Sequence, residues 1–126
     1  MLFSFVIGNN DMHLKNFSLI TEDPSHINLS PAYDLLSVRL LLSEKEDSEE
    51  LALALNGKKR KLEGKDFARF AENIGINSKV TQMVLRRQIS AIPAMVDLID
   101  RSFLSEENRE LFKSVVLGNI ERIKVM

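Results

Sequence analysis

The chain contains no cysteine and no tryptophan, one tyrosine, three prolines and five glycines. Without cysteine there are no disulfides and no thiolate metal sites, which fits a cytoplasmic protein. Five scattered glycines provide no glycine-rich phosphate-binding loop. No apolar run approaches the roughly 20 residues of a membrane span; the longest are Leu2 to Ile7 and Leu40 to Leu42. The first of these has no basic lead-in and no small-residue cleavage pattern, so it is not a signal peptide. Formal net charge is −1, which removes any global attraction to nucleic acid or to an anionic membrane.

What is present is an ordinary globular composition, 44% hydrophobic and 28% charged, in 126 residues. That is enough for one packed unit and too little for two, so residues 1–126 are read as a single domain. Met1 leads at once into Leu2, Phe3, Phe5, Val6 and Ile7, as if the chain began inside a buried element, a helix end or a strand that Gly8 terminates. Asn9 to Asn16 reads as loop. Phe17 to Ile20 and Ile27 to Leu29 flank a turn-forming stretch, Thr21 to His26, and predict a hairpin. Pro31 ends pairing, and Ala32 to Leu42 reads as loop with a short helix before the charged stretch Glu44 to Glu50. Leu51 to Leu55 is compatible with a strand or a helical turn, and Asn56-Gly57 is a strong turn signal.

The second half is helical. Phe67, Phe70, Ala71 and Ile74 recur at helix spacing, with Gly75 as the stop. Ser78 is the expected N-cap of a long helix with the stripe Thr81, Leu85, Ile89, Ile92, Val96, Ile99 and Phe103, kinked at Pro93. Ser105, Glu106 and Glu107 open a last helix with Phe112, Val116, Ile120 and Ile123 on one face. The expected fold is therefore mainly α (α+β): a helical bundle preceded by a short β-hairpin.

Two polar clusters stand apart from this pattern, Gly8 to Ser18 and Leu29 to Ser37. Asp11 and Asn16 are five residues apart, the separation of base and metal-ligand Asn in the loop H-R-D-x-x-x-x-N. Asp34 follows the hairpin, where a kinase carries its magnesium-binding Asp. Phosphoryl transfer needs a carboxylate to orient the attacking hydroxyl and oxygen ligands to hold magnesium on the phosphates. Asp11, Asn16 and Asp34 supply such groups; equally, Asp and Asn cap turns in many loops. His13 stands where a phosphate contact is possible, or is a structural histidine bonded to backbone. Lys15 neutralises phosphate charge or is simply solvated. The basic run Lys58 to Lys61 reads as a solvated turn rather than a nucleic-acid contact, and no helix-turn-helix supports DNA binding.

Gly8 to Ser18, Leu29 to Ser37, and Leu53, Asn56, Gly57, Lys58, Leu62 and Asp66-Phe67, in that order, resemble the C-terminal domain of the HipA-like serine/threonine kinase toxins. The resemblance covers essentially the whole chain. It implies a kinase-like C-lobe, with Asp11, His13 and Lys15 on the catalytic side and Asn16 and Asp34 binding magnesium and, through it, ATP. It also implies a protein substrate, an aminoacyl-tRNA synthetase among the known class, and a HipB-like DNA-binding antitoxin as partner. The departure is the missing N-lobe: neither a glycine-rich loop nor a Val-Ala-Ile-Lys-like strand is present. The isolated chain is thus expected to be inactive until a separate or missing segment completes it. The rival expectation is a non-catalytic remnant or partner-binding regulator. Leu2, Phe3 and Phe5, uncovered by an N-lobe, are expected to form an apolar patch that favours a homodimer.

Overall fold

A computed structural model describes residues 1–124. The opening apolar run is a helix, α1 (Leu2–Val6), whose Phe5 and Val6 are buried. Gly8 ends it at φ +70°, a conformation that costs glycine nothing. Glycine is also required by space, because an added Cβ would lie 2.8 Å from Arg39 Cβ and 2.9 Å from Val115 Cγ1. The C-terminal carbonyls of α1, which have no partner within the helix, are taken up from behind by Asn119. Its Nδ2 donates to Phe5 O at 2.8 Å and to Val6 O at 3.4 Å.

The hairpin is present with longer strands and a tighter turn than the sequence suggests. β1 (Leu19–Asp23) pairs antiparallel with β2 (His26–Leu29), in the register Leu19 to Leu29 and Thr21 to Ile27. Thr21 continues the ladder, Glu22 falls in a register irregularity before the Asp23–His26 pair, and Asp23 closes the turn by accepting the Ser25 N–H at 2.7 Å. Phe17 lies outside the strand.

Asn56-Gly57 forms the expected turn, both residues at positive φ, with Leu55 and Lys58 exchanging backbone hydrogen bonds of 2.8 and 2.9 Å across it. Leu51 to Leu55 is neither strand nor helix, but Leu51 and Leu55 are buried. The charged stretch before it is tied down by one carboxylate. Glu50 meets Arg122 through two parallel contacts of 2.8 and 2.9 Å and also accepts the Leu62 N–H at 2.9 Å.

Helix α2 (Gly64–Asn73) ends as expected, with Gly75 at φ +81°. Helix α3 (Ser78–Ser90) is capped one residue earlier than expected: Asn77 Oδ1, not Ser78, accepts the Lys79 N–H. Pro93 divides the long helix instead of kinking it. α4 (Ile92–Asp100) starts anew, because proline has no N–H for the carbonyl of Ile89. With α4 ending at Asp100, Phe103 leaves the helical stripe and is fully exposed. α5 (Glu106–Lys124) begins at Ser105, whose Oγ accepts the Asn108 N–H. The core joins Phe5, Val6, Leu55, Leu62 and Phe67 to Leu85, Ile99, Val116, Ile120 and Ile123.

Asp66 couples the turn to α2. Its Oδ2 accepts the Glu63 N–H at 3.0 Å and its Oδ1 pairs with Lys58 Nζ at 2.9 Å. Burial pushes the Asp66 carboxyl up, but the Lys58 and Glu63 hydrogen bonds and the charges of Lys58 and Lys65 outweigh it and hold the group below its ordinary 3.8. A folded-state pKa below the unfolded one means that the unfolded chain binds more protons in acid. The stabilisation is therefore present above 3.8 and lost as pH falls through the folded value. Asp66→Ala is expected to cost about 2–3 kcal/mol at neutral pH and to flatten the fall of melting temperature below 3.8. Thermal unfolding against pH checks both.

Candidate functional site

The loop after α1 is arranged residue by residue through its own backbone. Asn9, 1% exposed, donates its N–H to Ser4 O at 2.8 Å and accepts the Asp11 N–H on Oδ1 at 3.1 Å. The Asp11 carbonyl then accepts the His13 N–H at 3.0 Å, and the same N–H reaches Asn16 Oδ1 at 3.2 Å. Leu14 to Asn16 close into one 3-10 turn. The Asp11 carboxylate is left exposed and makes no hydrogen bond or ion pair among the described residues.

After the hairpin the chain returns to this loop. Tyr33 Oη donates to Lys15 O at 3.1 Å and shares a 2.7 Å bond with Ser18 Oγ, pinning the two segments together. Asp34 sits at φ +55°, a left-handed conformation that Asp tolerates better than most residues. In that position its Oδ2 lies 3.1 Å from Asn16 Nδ2. Two residues 18 apart in sequence thus meet across the base of the hairpin, with Asp11 on the same loop as one of them.

The structure brings together Asn16 and Asp34 by direct contact and links Asp11 to Asn16 through the His13 N–H. His13 is half-buried and Lys15 exposed. Neither side chain is hydrogen-bonded to Asp34 among the described residues. The donor set suits magnesium, a hard cation that takes one or two protein oxygens and fills its remaining positions with water and phosphate. Here the Asn16 amide gives its nitrogen to Asp34 and its oxygen to the His13 N–H, so to offer that oxygen to a metal beside Asp34 it would have to turn and give up both bonds. No group of three or more His, Cys, Asp or Glu side chains placed to hold a metal ion occurs among the described residues.

Two contributors were not singled out by sequence reasoning. Asn9 anchors Asp11, and Asn10 Nδ2 ties the loop to Asp47 Oδ2 at 2.8 Å and to Glu49 O at 3.0 Å. Tyr33, beside Asp34, serves through its hydroxyl and is 40% exposed. Three residues of the basic run meet internal partners: Lys58 on Asp66, Lys59 on Glu49 at 3.5 Å, and Arg60 on Ser48 at 3.3 Å. Two buried polar atoms, Asn9 Nδ2 and Ser37 Oγ, have no hydrogen-bond partner among the described residues. A buried unpaired donor costs about 1–3 kcal/mol.

The unit is mainly α with one hairpin, and it brings Asn16, on the loop that carries Asp11, against Asp34 beyond the hairpin. The chain belongs to the HipA-like C-terminal domain family, whose model matches residues 1–116. It is 32% identical over 120 residues to a Haemophilus influenzae protein named "Putative kinase", an alignment covering 84% of this chain and 35% of that protein. It is 37% identical over 95 residues to "Putative kinase Y4dM" of Sinorhizobium fredii, covering 75% of this chain and 23% of the relative. The chain therefore has a kinase-family relationship and spans about a third or less of the length of these curated relatives.

Proposed function

We propose that this chain is the C-terminal catalytic half of a HipA-type protein serine/threonine kinase, active when an N-lobe completes it. The observation that carries the reading is the 3.1 Å approach of Asn16 to Asp34, beside the loop that presents Asp11. Asp11 orients the attacking hydroxyl of the substrate and accepts its proton as that oxygen bonds to the γ-phosphorus of ATP and the bond from phosphorus to the departing ADP oxygen breaks. Asn16 and Asp34 hold magnesium. When bound, the metal and ATP supply the neutralised, transferable phosphoryl group. His13 and Lys15 flank the transferred phosphate, Lys15 contributing positive charge.

An N-lobe is the partner that suits the open hairpin. Leu19, Ile27 and Leu29 share one apolar face and are each more than 60% exposed. A two-stranded hairpin is marginal alone, so a covering partner stabilises it. The family resemblance adds a cytoplasmic toxin role, a HipB-like DNA-binding antitoxin and an aminoacyl-tRNA synthetase or similar protein as substrate. No helix among the described residues is long and apolar enough to cross a membrane. The same open face favours the second reading, a partner-binding module without catalysis.

Calorimetric titration with Mg-ATP separates the two. Binding that Asp34→Asn removes is the expected result. Binding unchanged by Asp34→Asn would overturn the metal-ligand assignment, and no binding with or without an N-lobe would favour the partner module.

A further inference from the structure

We propose that Asn9 is the positioning residue for Asp11, acting through its side-chain oxygen on the Asp11 backbone N–H to preset where the carboxylate points. The inference rests on the reading of Asp11 as the catalytic carboxylate.

Burial alone gives no reason for an amide at this position. Asn9 is 1% exposed, yet only its oxygen is paired; both N–H donors on Nδ2 are without a partner among the described residues. Leucine has nearly the same shape and would bury no unpaired donor. What leucine cannot do is accept the Asp11 N–H, the bond of 3.1 Å that Asn9 makes. The other unpaired buried atom, Ser37 Oγ, lies at the same seam, 3.4 Å from where a Cβ on Gly8 would sit. Two side-chain polar atoms are thus buried at this seam without a partner among the described residues.

The mounting of Asn9 supports the same role. Its N–H is fixed to Ser4 O, and Gly8 O accepts the Arg39 N–H at 3.1 Å. Helix α1 is in turn held by Asn119 of α5. A rigid path therefore runs from the core to Asn9 and ends in one hydrogen bond to an exposed, functionally placed residue. Beyond Asp11 the loop has its own bonds through His13 and Asn16. Losing the Asn9 oxygen should free Asp11 and leave the Asn16–Asp34 contact in place.

The test uses Asn9→Leu and Asn9→Ser in the full chain, with thermal unfolding and residue-resolved amide hydrogen exchange. Asn9→Leu is expected to melt at or above the wild-type temperature while the Asp11 amide exchanges at least about fivefold faster. Asn9→Ser, whose hydroxyl accepts an N–H two residues on, should restore part of that protection. In the chain completed by an N-lobe, Asn9→Leu should lower kcat about tenfold to a hundredfold with KM for ATP unchanged. Unchanged Asp11 exchange in Asn9→Leu would overturn the proposal, as would wild-type kcat in that variant. A lower melting temperature with uniformly faster exchange would make Asn9 an ordinary structural residue. If Asp11→Ala leaves phosphotransfer intact, the catalytic reading itself fails; if Asp11→Ala abolishes it and Asn9→Leu does not lower kcat, only the Asn9 inference fails.

Discussion

Asp34→Asn, in an assembly that completes this chain with a kinase N-lobe, should reduce phosphotransfer by about 10³-fold or more while leaving the fold unchanged. The substitution keeps the backbone at φ +55°, which Asn tolerates as well as Asp, and removes only the charge. The one side-chain hydrogen bond of Asp34 among the described residues is to Asn16 Nδ2. Loss of activity therefore cannot be traced to a broken core. Asp11→Ala should act on a different part of the reaction, lowering kcat by about 10²–10⁴ through loss of the proton acceptor. Transfer of labelled phosphate from ATP measures both, with circular dichroism as the control for folding. Retained activity in both variants would end the assignment of this loop as a phosphoryl-transfer site.

The largest effect on stability is expected at Phe5. Its side chain is 1% exposed, its ring centroid lies 5.3 Å from that of Phe67, and the Arg122 guanidinium sits 5.1 Å over the ring. Phe5→Ala opens a cavity between α1, α2 and α5 and costs about 3–5 kcal/mol. A domain of this size has about 5–15 kcal/mol in total, so the melting temperature should fall by roughly 10–20 °C. A shift of only a few degrees would show that α1 is not part of the cooperative unit. The consequence reaches the site, since α1 leads into Gly8 and Asn9, and Asn9 bonds both Ser4 of α1 and the Asp11 N–H.

This result also revises an expectation. Leu2, Phe3 and Phe5 were expected to share an uncovered patch. Phe3 is 41% exposed and Leu2 half-buried, but Phe5 faces Phe67 and α5. On a single helical turn, residues two apart point in different directions, and only knowledge of where α5 lies tells which one is covered. The large open apolar surface is instead the hairpin, where every residue of both strands is exposed.

Local rules were written plainly in the chain. The Asp11 to Asn16 spacing, the hairpin, the Asn56-Gly57 turn, the Gly75 stop and the face carrying Val116, Ile120 and Ile123 all follow from periodicity or from backbone freedom within a few residues. So does the mainly α class. Boundaries were less legible. Nothing local distinguishes Asn77 from Ser78 as a cap, or a kink from a break at Pro93, because each depends on small competing preferences.

Only the tertiary structure decided which distant groups meet. The contact of Asn16 with Asp34 needs the hairpin to fold back and Tyr33 to lock it. The burial of Phe5 and the capping of α1 by Asn119 need helix α5 to pack across the start of the chain, 114 residues away in sequence from Phe5. The half-paired amide of Asn9 likewise depends on which groups surround it in space. Sequence carries the chemistry available at each position; packing determines which of those groups share a space, since hydrogen bonds and burial depend on neighbours that linear spacing does not encode.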